Sequence, residues 1–218
     1  MHRQLPVLVA IAIVMFAAAP FVMDMAPYES SMGLVQRIFY FHVPAAVTML
    51  IAGLVCGGAS AIFLRTRRPS ADRLAVAAAE LAVVFGVIVL VTGPLWARKA
   101  WGIWWDWEPR LTMTLVMWMV FSAYLLLRRF GGAGSEVLAA AVGFFGMMLV
   151  PFVYWSVNFW RTLHPKTSVV PTLPWSMLGP LLWCMTAFLV LFAVLLMLRV
   201  ALERAHAALE EAYLALED

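Results

Sequence analysis

LAVAAAELAVVFGVIVLVTGPLW, residues 74–96, is long enough at ~1.5 Å per residue to cross a ~30 Å hydrocarbon layer, and its single charge is Glu80. Five further apolar runs lie at 5–23, 43–64, 111–127, 137–157 and 180–198, and together they use most of the 218 residues. The composition agrees: 65% of residues are apolar and 12% charged, against roughly half and a quarter in an ordinary globular chain. The spacing predicts an all-α polytopic membrane protein with six transmembrane helices and excludes a soluble domain. No GxxxxGK[ST] phosphate loop occurs, so pumping by that route requires a partner.

The connections carry an orientation signal. Arg65, Arg67, Arg68 and Arg73 follow the second run, and Arg128 and Arg129 follow the fourth. Short basic connections are retained in the cytoplasm, which predicts cytoplasmic termini and places the first, third and fifth connections outside. Arg3 and the charged tail fit that orientation. The start of the chain also resembles a signal peptide ending at Ala17-Ala18-Ala19, but continuation through Phe21, Val22 and Met23 favours a retained anchor.

The chain divides into a membrane domain, 1–198, with a Trp-rich external loop at 96–111, and a tail, 199–218. In the tail Leu198, Leu202, Ala205, Leu209, Tyr213 and Leu216 recur at helical spacing, predicting a cytoplasmic amphipathic C-terminal helix continuing the sixth span. Its other face is acidic, with Glu203, Glu210, Glu211, Glu217 and Asp218. Glu80 is expected to reach the interface or to pair with a loop arginine, because a charge at mid-bilayer costs about 2.5–3.5 kcal/mol. Cys56 and Cys184 sit at different depths and are expected to remain unpaired small hydrophobes. Without CxxC or CxxCH, thiol transfer and c-type haem attachment are excluded.

The outer connections hold the unusual chemistry. FYFHVPAA places His42 just before the second span, and FWRTLHPKT places His164 just after the fifth. Between them WARKAWGIWWDWEPRLT puts Trp96, Trp101, Trp104, Trp105 and Trp107 within twelve residues, half of the ten tryptophans in the chain. An interfacial aromatic belt accounts for one or two such rings per helix end. If this segment is a short surface helix, Trp101, Trp104, Trp105 and Glu108 share a face and form a flat apolar platform, closed by Pro109. Arg37, Arg98, Lys99, Arg110, Arg161 and Lys166 outweigh Asp24, Glu29, Asp106 and Glu108 on this side, which suits an anionic ligand. A protein zinc site needs three or four ligands, whereas two axial histidines suffice for a haem, a flat apolar ring with two carboxylates.

These features together resemble the cytochrome c maturation protein C family (CcmC, haem exporter protein C), whose members handle haem through a tryptophan-rich WWD segment. The resemblance rests on FHVPAA at 41–46, WGIWWDWEPRLT at 101–112 and TLH at 162–164, and covers nearly the whole length. It implies that His42 and His164 are axial iron ligands, that Trp101, Gly102, Trp104, Trp105, Trp107 and Arg110 belong to the platform, and that Arg37 contacts a propionate. Glu108 occupies the slot of the family's usual aspartate, with an extra acid at Asp106, so either carboxylate could serve. The resemblance further implies transiently bound haem b and a bacterial inner-membrane location with the haem site on the periplasmic face. The partners it implies are the periplasmic chaperone CcmE, the ABC transporter subunits CcmA and CcmB, and the single-span subunit CcmD. The expected role is haem binding and transfer rather than an enzymatic one. Two mobile loops beside Pro165, Pro171 and Pro174 suit a site that must release its cargo. A cytochrome b-like redox subunit is disfavoured by the absence of histidine inside a span, and a solute permease subunit by the near absence of a polar path.

Overall fold

The computed structural model describes residues 4–217, without the side chains of residues 210, 211, 214 and 217. Six long helices follow one another: α1 (Leu5–Asp24), α2 (Phe39–Thr66), α3 (Pro69–Trp101), α4 (Pro109–Phe130), α5 (Ser135–Phe159) and α6 (Trp175–Glu217). Short 3-10 turns occupy Gly33–Ile38 and Val170–Thr172. All six long helices are apolar enough to cross a membrane, and the chain is a multi-pass membrane protein.

Local chemistry sets the helix ends. Proline opens α3 and α4, each preceded by an extended residue, Arg68 (ψ 121°) and Glu108 (ψ 158°). A proline there costs little, because the first N–H groups of a helix have no internal partner. Gly102 closes α3 in the left-handed region at φ 79°, where a Cβ would be strained.

Packing centres on α2, which lies against α3, α5 and α6; α4 packs on α5 and α3, and α1 on α6. Met49 and Cys56 of α2, Phe85 of α3, Phe121 and Tyr124 of α4 and Phe188 of α6 are buried in one cluster. Small residues let the backbones approach: a Cβ on Gly57 of α2 would fall 2.1 Å from Met147 Cβ of α5. Cys56 and Cys184 are both free and buried in separate clusters, as expected from their depths.

Three expectations need correction. The helices outrun the apolar runs. α2 begins at Phe39, so His42 belongs to its first turn rather than to a mobile loop before it. Pro44, also near that end, removes only one early hydrogen bond and does not delay the helix. α3 continues through Arg98, Lys99 and Trp101, because basic side chains are good helix formers even where hydropathy falls. Consequently the expected surface helix at the tryptophans does not form: α3 stops at Trp101, and residues 103–108 are irregular. Glu80 does not pair with a loop arginine. Its partner is Arg199 of α6, whose Nε and Nη2 donate to its carboxylate while Nη2 also reaches Glu203 at 2.7 Å.

α6 is continuous past residue 198, and Leu198, Leu202, Leu209, Tyr213 and Leu216 on it are exposed. His2, Arg3 and Asp218 lie outside the described residues, as do the side chains of Glu210, Glu211 and Glu217.

Candidate haem site

The up-and-down order of the helices brings the connections 25–38, 102–108 and 160–174 to one end of the bundle. The first turn of α2 packs beside the last turns of α3, and the His42 Nδ1 atom lies 2.9 Å from Thr92 Oγ1. His164 sits in the connection after α5, half-buried, with its Nδ1 2.9 Å from the Pro165 carbonyl oxygen. A carbonyl only accepts, so this Nδ1 carries the proton and Nε2 keeps its lone pair. Burial, reinforced by the positive charge of Arg110, pushes the His164 imidazole down to about 4, so the ring is neutral at neutral pH and competent to bind a metal.

Glu108 joins the tryptophan segment to the histidine loop. It is 6% exposed, and its Oε2 accepts hydrogen bonds from Thr162 Oγ1 at 2.5 Å and from the Leu163 N–H at 2.7 Å. Thr162 Oγ1 in turn accepts from the His164 N–H at 3.0 Å. Glu108, rather than Asp106, is therefore the buried acid of this end. Its other oxygen, Oε1, is buried without a partner. Next to it Arg110 donates from Nη1 to the Val153 and Tyr154 carbonyls, 3.1 Å each, tying the start of α4 to the electronegative end of α5.

The tryptophans form two edge-on pairs. Trp96 and Trp101 meet at 5.6 Å between centroids, and Trp105 and Trp107 at 5.7 Å. Trp104 is 56% and Trp107 73% exposed, so two indoles present open faces. Arg98 lies over the Trp104 ring at 6.0 Å and donates to the Gly102 carbonyl, bracing the turn after α3. The indole N–H groups of Trp96 and Trp105 are buried without acceptors. An apolar cleft of about 220 Å³ lies between Trp107, Met113, Phe152 and Trp160, at the seam of α4 and α5. Arg37 pairs with Asp24 at 3.0 Å, leaving its Nη1 buried and unpartnered.

This donor set fits a haem better than a bare ion. Among the described residues no three His, Cys, Asp or Glu side chains gather to hold a metal. A haem supplies four nitrogens itself and asks the protein for only two, along with apolar faces and donors for its carboxylates. Buried, unused donors on Trp105 and Arg37 suit the last requirement. Two hydroxyl groups of this end, Thr92 and Thr162, have no motif of their own: Thr162 is part of TLH and Thr92 is a polar residue inside an apolar run, and neither position names its partner from sequence.

Fold and site define a class: a six-helix membrane protein with two histidines and a tryptophan-rich turn at one end. The family model described as CcmC, heme exporter protein C, matches residues 1–213, and the chain belongs to that family. A heme exporter protein C of Bradyrhizobium diazoefficiens is 34% identical over 88% of this chain and 76% of its own length. One from Escherichia coli K12 is likewise 34% identical, over 80% of this chain and 73% of its own. A ccmC-like mitochondrial protein of cytochrome c biosynthesis from Marchantia polymorpha is 31% identical over 66% of this chain.

Proposed function

We propose that this protein handles haem during cytochrome c maturation by holding haem b transiently between His42 and His164 and passing it to a chaperone. Family membership supports the haem-handling role. The observation that supports the binding mode is that the His42 turn and the Glu108-tethered His164 loop belong to elements that meet at the same end of the bundle. In this reading the indoles of Trp101, Trp104, Trp105 and Trp107 flank the ring, Gly102 lets the chain turn between them, and Arg37 and Arg110 balance the propionates. Glu108 acts by holding the His164 loop rather than by touching the cargo.

The site faces the periplasm, the termini and the tail of α6 face the cytoplasm, and the acceptor is the chaperone CcmE. Work by the ABC subunits CcmA and CcmB, with the small subunit CcmD, supplies the energy that this chain has no motif to supply. The protein binds and transfers; it does not turn over a substrate of its own. An open rim with two exposed indoles favours a site that releases haem over a permanent redox centre.

The test is haem content of the detergent-purified protein, with His42 and His164 replaced singly by glycine. Loss of haem in each variant, restored by added imidazole, is expected. Unchanged haem in both would remove the axial-ligand assignment.

A further inference from the structure

We infer that Thr92 is a positioning residue for haem, fixing the tautomer and the rotation of the His42 imidazole so that Nε2 faces the iron. This rests on the reading of His42 as an axial ligand. The hydroxyl of Thr92 has one proton, and it is committed: Oγ1 donates to the Ile88 carbonyl, 2.6 Å away, one turn back along α3. Towards His42 the same oxygen can only accept. At 2.9 Å it therefore takes a hydrogen bond from Nδ1–H, and the proton cannot also be on Nε2 in the neutral ring.

The next residue supports the same placement. A Cβ at Gly93 would lie 3.2 Å from His42 Cε1 and 3.9 Å from Nδ1, so the ring lies against bare backbone. Thr92 and Gly93 thus form a seat for one edge of the imidazole: one accepts its proton, the other leaves room for the adjacent carbon. Nε2, on the far side of Cε1 from the hydrogen-bonded nitrogen, keeps its lone pair and is the atom left to bind. His164 reaches the same tautomer by another route, through the Pro165 carbonyl. Both rings are then prepared as Nε2 donors. A hydrogen bond from the far nitrogen also increases electron donation from the ligating one.

The experiment compares wild type, Thr92→Val, Thr92→Ser and Gly93→Ala, each purified and reconstituted with haem, and takes the haem content of His42→Gly after the same treatment as reference. It reads the rate of haem loss to an apomyoglobin scavenger, the haem midpoint potential and the protein's level in the membrane. Valine keeps the shape and removes the acceptor; the expected result is about tenfold faster haem loss and a more positive potential at an unchanged membrane level. Serine should restore both values, and Gly93→Ala should speed loss by pressing on the ring. If His42→Gly loses haem while Thr92→Val and Gly93→Ala keep wild-type rates and potentials, the role of Thr92 is wrong. If His42→Gly itself retains haem normally, the axial reading beneath it fails instead.

Discussion

Glu108 shows how one buried carboxylate can matter without meeting the cargo. Its two hydrogen bonds to Thr162 and Leu163 are charge-assisted, each worth about 1.5–3 kcal/mol. They hold a loop with no regular structure apart from the short turn at Val170–Thr172. Glu108→Ala should free that loop: trypsin should cut after Arg161 or Lys166 faster, and haem retention should fall about tenfold. Glu108→Gln, which keeps an acceptor, should lie between the two. Equal cleavage rates in all three proteins would contradict the tether. The indoles divide in the same way. Trp104→Ala and Trp105→Ala should lower haem per protein at similar membrane levels. Trp118 instead donates to the Val83 carbonyl at 3.1 Å and fills the space beside Gly86, so Trp118→Ala should reduce thermal stability and leave haem per folded protein unchanged.

The helices were legible as apolar runs, and their excess length was not. Hydropathy detects where a segment meets lipid, whereas a helix stops where a proline, a glycine or an uncapped end makes it stop. Gly102 and Pro109 therefore bound the tryptophan turn more sharply than the fall in hydropathy at Arg98 does. The same limit hid the partner of Glu80. Arg199 lies 119 residues away in sequence, and only the packing of α3 on α6 brings the two together. The histidine end was legible in kind, since alternation of spans alone puts the odd connections together. Its wiring through Glu108 and Thr162 spans 54 residues and leaves no local signature. Arg199→Ala should lower the melting temperature in detergent by the equivalent of about 1–2 kcal/mol, because the pair is a quarter to a third exposed and solvent screens it. Combined with Glu80→Ala the loss should be less than the sum of the singles.

For the molecule as a whole, the two ends differ in chemistry. One carries the tryptophan-rich turn, His42 and His164; the other carries Arg67, Arg68, Arg73, Arg128 and Arg129, with Arg128 bonded to Asp72 at 2.7 Å. The basic end should face the cytoplasm. Both native cysteines are buried, so introduced thiols report cleanly. An impermeant maleimide should label Ser168→Cys in intact spheroplasts and Ala133→Cys only after lysis, both positions being exposed. The reverse pattern would turn the protein over and place the site on the wrong side for a periplasmic chaperone. Most direct of all is the low-temperature electron paramagnetic resonance spectrum of the ferric haem protein as purified. Two imidazoles on one iron predict a low-spin bis-histidine signal that is lost in both His42→Gly and His164→Gly, with any remaining haem high-spin, and that returns with imidazole. A wild-type signal that is high-spin, or that survives either substitution, would contradict convergence of the two rings on a common iron.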